Sequence, residues 1–363
     1  MNKKLVSSIS LFAIIPMLVF AMILPLAVLS FSVLRLDTAA MKIPYASPEN
    51  SSEDIINSAF KLIPSDGSHP VGDYIEQEDS KDCEKLTEIP TISMTHEFLP
   101  EDAKAIFVSD LSQNGSPLIN DTDYKVDIQE EIAAFAPQKE IGSEPLVLVL
   151  HTHATETFTN PEESYRVINA DGSQTYYYSP SQNTTRSTDN TENVIHLGEI
   201  FVDRLNSMGI PTVHCQTQHD SPDYSKSYPN ARMSIQEYLE KYPSIEYIVD
   251  LHRDSIVRES GEKIKPLCSI NSEDTAQIML VMGSGSSHPE WRQNLALALK
   301  FKTTCDILYP GFSRPVYLRT WHFNQDLCPG SVILEVGSCA NSLPEAERAA
   351  VYAAEVFAAT ITQ

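Results

Sequence analysis

Basic residues are scarce in this chain: 26 Lys and Arg stand against 49 Asp and Glu, a formal net charge of −23 over 363 residues. That balance argues against a nucleic-acid partner, since affinity for a phosphate backbone is carried by Lys and Arg. Paired metal-type cysteines are missing too. Cys83, Cys215, Cys268, Cys305, Cys328 and Cys339 show no C-x-x-C spacing, so no zinc ribbon is expected. Several of them fall in apolar surroundings, where a buried free thiol is the plain reading. No G-x-S-x-G and no C-G-x-C-W-like stretch occurs, which disfavours serine and cysteine nucleophiles. The glycine-serine loop at 283–287 lacks the lysine of a phosphate-binding P-loop. No internal repeat is present.

Long uncharged runs are confined to the start. Lys3 and Lys4 precede a stretch, 5–34, without a charged residue. At a rise of about 1.5 Å per residue it can cross about 30 Å of hydrocarbon. It is longer than a signal-peptide core, so residues 1–37 are expected to form an uncleaved single-span anchor. The lysines keep the N-terminus inside and place the rest outside. From 38 to 143 the pattern is weak, apart from one amphipathic helix expected near 55–63. This part reads as an extracytoplasmic spacer or accessory region.

From 144 to 363 strands and helices alternate, which predicts an α/β, three-layer domain around a mostly parallel sheet. Apolar runs at 146–150, 210–215, 245–251, 276–282, 315–319 and 332–336 read as strands. Helices are expected over about 192–208 and 231–241, after Ser287, and from Ser342 to the C-terminus. The last two open with a Ser cap, Pro in the first turn and Glu three residues on. The polar stretch 157–190 reads as a long loop, a candidate lid.

Chemistry gathers where the apolar runs end. The run 146–150 passes directly into His151, Thr152 and His153, with Glu156 three residues further on. The run 245–251 passes into His252, Arg253 and Asp254, and Glu335 is embedded in 332–336. Ligand groups collect beyond the carboxyl ends of parallel strands. Imidazoles from two strand ends plus one carboxylate, Glu156 or Glu192, form the donor set of a catalytic Zn²⁺. Glu192 can instead simply favour the positive end of a helix. An acid buried in an apolar strand is costly unless paired or working, and its raised pKa suits a general base. Glu335 is read that way. Arg319 is a candidate for an oxyanion or a substrate carboxylate, or a structural partner of Glu335. The polar loop groups His219–Asp220 and Asn324–Asp326 are candidates to line the cleft.

These stretches resemble a known family. L-H-T-H-A-T-E at 150–156, V-D-L-H-R-D at 249–254, H-P-E-W at 288–291, Y-L-R at 317–319 and N-Q-D-L-C-P-G-S-V-I-L-E-V-G at 324–337 resemble, in that order, the stage II sporulation protein P family. The resemblance implies a membrane-anchored, zinc-dependent N-acetylmuramoyl-L-alanine amidase. It would remove stem peptides from peptidoglycan in the septal space during engulfment, beside a stage II sporulation protein D-type glycan cleaver. The site residues it implies are the metal ligands His151 or His153, Glu192 or Glu156, and His252. Glu335 would be catalytic, assisted by Arg319 or Arg253. The competing expectation is a wall-binding scaffold with a non-catalytic metal site.

Overall fold

A computed structural model describes residues 92–94, 98–112, 115–137, 140–160 and 163–362. The anchor expected at 1–37 and the helix expected at 55–63 lie outside the described residues. Among the described residues no helix is long and apolar enough to cross a membrane.

The apolar runs become a seven-stranded sheet. Its strands are β3 (Leu118–Asn120), β4 (Val147–Leu150), β7 (Thr212–His214), β8 (Tyr247–Asp254), β11 (Ile278–Gly283), β12 (Val316–Arg319) and β13 (Ser331–Ser338). The order across the sheet is β3-β12-β11-β13-β8-β4-β7. Every neighbouring pair is parallel except β11 with β13. Strands buried on both faces need apolar residues at both parities, and β4 shows why the runs are continuous. Val147 and Val149 join one core cluster, while Leu148 and Leu150 join another.

Helices cover both faces. On the Val147 face lie α2 (Val194–Ser207), α4 (Trp291–Leu308) and α5 (Leu343–Thr362), with α1 (Ile128–Ala134) packed outside α4. On the Leu148 face lies α3 (Ser227–Lys241), through Ala231 and Ile235. The helix α5 is buried almost all round, as a helix must be when wedged between α2 and α4. Its one deeply buried carboxylate, Glu355, takes Arg204 of α2 at 3.1 and 2.6 Å and the Tyr309 hydroxyl.

A second, six-stranded sheet was not expected. It runs β1-β5-β6-β2-β9-β10, with β1 at Ile92–Met94, β2 at Lys104–Ser109, β5 at Ser164–Ile168, β6 at Gln174–Tyr178, β9 at Lys263–Ile270 and β10 at Glu273–Ala276. The supposed loop 157–190 therefore carries the hairpin β5–β6, and the supposed spacer supplies β1 and β2 here and β3 to the main sheet. Both β2 and β3 pair with strands from beyond 144. In β2 and β3 the exposed positions include Phe107, Val108 and Ile119, so these strands depend on non-local pairing and leave little periodic trace.

One cap also differs. The helix α4 begins at Trp291 behind Glu290, without a side-chain cap, so Ser287 lies outside it. At α5 the expected reciprocal bond is present, the Ser342 N–H donating to Glu345 at 3.0 Å.

The α2–α5 ion pair gives a direct test. Glu355→Ala leaves a buried, unpartnered guanidinium and should cost about 3–5 kcal/mol, seen as a lower urea midpoint. A loss below about 1 kcal/mol would show that the pair does not hold these helices together.

Candidate functional site

The site forms at the carboxyl ends of β4, β8 and β13. Alternation along β8 puts Ile248, Asp250 and His252 on the α3 face. The ladder sets Glu335 of β13 beside His252, and Asp250 between Leu150 and Ile333. The strand β4 stops at Leu150 and the chain turns. Thr152 donates its N–H to Asp250 at 2.8 Å and its hydroxyl at 2.6 Å. The Glu156 N–H donates to the His153 carbonyl at 3.1 Å and closes the turn. His153 is thereby carried over the edge onto the α3 face.

There His153 is held by aromatic rings. Tyr224 stacks on it at 4.7 Å, and Tyr228 and His252 meet it edge-on at 5.6 and 5.4 Å. His252 sits between two carboxylates, with Nδ1 3.4 Å from Glu156 and Nε2 2.9 Å from Asp250. The Asp250 oxygen is out of line, so that nitrogen makes no hydrogen bond. His153 Nδ1 and Glu335 Oε2 are likewise buried without partners. Glu335 is the one partly open position in an otherwise buried β13. Glu156 also accepts from the Arg253 N–H at 3.2 Å and lies 3.6 Å from Arg186 and 3.7 Å from the Arg253 guanidinium.

The ionisation states follow from these contacts. Burial disfavours charge on Glu156 and Asp250, but His252, with Arg253 or Thr152, overcomes it and holds each carboxyl down at about 2. Burial opposes a charged His252 as well, yet Asp250 and Glu156 raise it well above 6.5. Burial and the charge of His252 lower His153 to about 4. Burial, then the charge of Asp254, pushes the Glu335 carboxyl up to about 8. The cleft thus holds one imidazolium among ionised acids, beside a carboxyl that is protonated at neutral pH.

The predicted residues divide. His153, His252 and Glu335 come together, with Glu156 as the nearby acid. His151 does not join them: it continues the parity of Val147 and Val149 and points to the opposite face. Its Nδ1 lies 2.9 Å from the Leu251 carbonyl and its Nε2 2.9 Å from His214. It packs against Gly198 of α2, where an added Cβ would fall 2.4 Å from its ring. Glu192 is exposed and accepts only from Ser187, at 3.3 Å, because buried Asn193 caps α2 in its place. Arg319 is exposed and lies over the Tyr317 ring, away from Glu335. Arg253 is buried and spent on the carbonyls of Thr157 and Thr185 at 2.8 and 2.7 Å. Among the described residues, no three His, Cys, Asp or Glu side chains stand close enough together to hold a metal ion as they are placed.

Sequence reasoning passed over Asp250, although it interrupts an apolar strand as Glu335 does. It had no signal for Tyr224, Tyr228 or Arg186, which reach the cleft from 3-10, helical and loop positions. Asp220, expected to line the cleft, is buried behind it, accepting from the Thr155 hydroxyl at 2.6 Å and from Arg186 at 2.8 Å.

Fold and site together define a mixed α/β domain with a histidine–glutamate cleft at the ends of parallel strands. The family model described as stage II sporulation protein P matches residues 73–358, and the chain belongs to that family. A curated relative, stage II sporulation protein P of Bacillus subtilis (strain 168), is 26% identical over 239 residues, 61% of this chain and 52% of its own length. The chain thus spans about half the length of that relative. Among solved structures, the N-acetylmuramyl-L-alanine amidase Ami1 from Mycobacterium smegmatis is 12% identical, covers 62% of this chain and 99% of its own, and has a TM-score of 0.34. AmiC2 of Nostoc punctiforme is 12% identical over 61% and 97%, with a TM-score of 0.33. The CwlD amidase of Clostridioides difficile, solved with the GerS lipoprotein, is 10% identical over 58% and 95%, with a TM-score of 0.34. Likenesses at that level decide nothing about the site.

The depressed carboxyls carry a sign that can be measured. Asp250 and Glu156 stabilise the fold above the ordinary carboxylate range near pH 4, and the contribution fades as pH falls towards about 2. In metal-free protein, Asp250→Asn should therefore show its largest loss of urea midpoint at neutral pH. The gap to wild type should close on acidification. A gap that stays constant from neutral pH down to pH of about 2 would contradict the assignment.

Proposed function

We propose that this protein is a zinc-dependent N-acetylmuramoyl-L-alanine amidase that strips stem peptides from septal peptidoglycan during engulfment. It would be held by its N-terminal segment in the mother-cell membrane, facing the septal space, and work beside a stage II sporulation protein D-type glycan cleaver. One observation carries the reading within the family: His153, Glu156 and His252 meet next to Glu335, with polar atoms of three of the four left buried and unpartnered.

Two imidazoles and a carboxylate match the donor chemistry of catalytic zinc. His153, Glu156 and His252 would hold the zinc, which when bound would supply Lewis acidity, an ionisable water and a positive charge that would draw Glu335 below its raised value.

The chain's own groups do the rest. Asp250 fixes the His252 ring, and Tyr224 fixes His153 by stacking. Arg253 and Arg186 hold Glu156 ionised and oriented. Glu335 accepts a proton from the attacking water and returns it to the L-alanine nitrogen as the carbon–nitrogen bond breaks. The products are the lactyl carboxylic acid on muramic acid and a free peptide amine.

Digestion of purified wall, followed by release of L-alanine amino groups, tests the reading. Glu335→Gln should lower the rate by about 100- to 10,000-fold while leaving bound zinc unchanged. Full activity in that variant, or after zinc is stripped, would sink it. Wall binding without any release by the wild type would instead favour a scaffold. Metal content gives a second check. His153→Ala, Glu156→Ala and His252→Ala should each lose bound zinc, whereas Glu192→Ala should keep it. Retention of zinc by His153→Ala together with its loss from Glu192→Ala would reverse the ligand assignment.

A further inference from the structure

Hydrolysis of an amide puts negative charge on the carbonyl oxygen, and a preorganised donor aimed at that oxygen is a large part of the acceleration. The cleft holds few donors free for this task. Arg253 is committed to backbone carbonyls, and Arg186 to Asp220 and Glu156. Arg314 lies on Asp254 at 2.8 Å, and its remaining nitrogens are buried away from solvent. The Tyr224 hydroxyl is 3.3 Å from His153 Nε2.

Tyr228 is different. It is the second residue of α3 and partly exposed. Its ring meets His153 edge-on at 5.6 Å and Phe323 at 6.1 Å on another side. Asn324 donates to its backbone carbonyl at 2.9 Å, which ties the first turn of α3 to the loop before β13. Its hydroxyl has no hydrogen-bond partner among the described residues. We propose that the Tyr228 hydroxyl donates the hydrogen bond that meets the carbonyl oxygen of the scissile amide as that oxygen becomes negative. The assignment rests on the amidase reading above. The phenol is suited to the role because a tyrosine hydroxyl keeps its proton at neutral pH and can donate it in a hydrogen bond. No proton is transferred; the hydroxyl gives a hydrogen bond that strengthens as charge develops.

Tyr228→Phe removes the donor and keeps the ring. It should lower kcat by about 100- to 1,000-fold, with KM within about twofold and with zinc content and urea midpoint unchanged. A structural role would move the midpoint, and a binding role would move KM. Incorporating 3-fluorotyrosine at 228 in place of tyrosine, which makes the phenol a stronger donor, should change kcat with no change in stability. An active wild type beside a Tyr228→Phe variant within about twofold of its kcat would overturn this assignment alone. A zinc-loaded wild type that releases no L-alanine amine would overturn the amidase reading, and this assignment with it.

Discussion

Asp250 lies in the middle of β8, flanked by β4 and β13. A carboxylate there is expensive unless every lone pair is used. Thr152 uses two of them through its N–H and hydroxyl, and His252 faces the same group at 2.9 Å. Those contacts bend the chain after β4 sharply onto the α3 face, and His153 follows. The same turn is tied at its far end, where the Thr155 hydroxyl donates to buried Asp220 at 2.6 Å. Asp250 thus solves a folding problem and a chemical one together: its own burial requires the turn that brings the second imidazole across.

A second constraint is the distribution of positive charge. A chain this acidic still places arginines against three of the carboxylates around the cleft. Arg253 and Arg186 serve Glu156, Arg186 also serves Asp220, and Arg314 serves Asp254. Neither Asp250 nor Glu335 has an arginine within ion-pair distance among the described residues, and burial, then the charge of Asp254, pushes the Glu335 carboxyl up to about 8 against the pull of His252 and Arg314.

How far this was legible follows from where information sits in a sequence. Strands buried on both faces announce themselves, and so the positions of His252 and Glu335 could be read directly from the apolar runs around them. His151 and His153 could not be separated, because two residues apart on an extended chain they share a face, and only the turn that Thr152 makes onto the Asp250 carboxylate parts them. Arg319 looked well placed beside Glu335, but β12 leaves its side chain outside, over Tyr317. The six-stranded sheet escaped notice because its strands do not alternate cleanly, with Phe107, Val108 and Ile168 exposed, and because β2 is held by partners far away in the chain. Lys104 pairs beside Tyr178, for example, and Ile106 beside both Tyr176 and Lys263.

The choice between Glu156 and Glu192 shows how little chain the cleft needs. A carboxylate near the start of α2 gains from the helix dipole, yet the buried place there is taken by Asn193, whose side chain caps the Ile195 N–H at 2.9 Å. The Thr157 hydroxyl also holds the Glu192 carbonyl, which fixes the backbone with the acid outside. Glu156 needs no such long connection. It leaves the same turn as His153, separated by two residues, so closing the pair costs little chain entropy. His252 and Glu335 are neighbours across a ladder that the apolar core already enforces. One local turn and one strand register therefore assemble all four groups, and the long segments between them are free to build the surrounding walls.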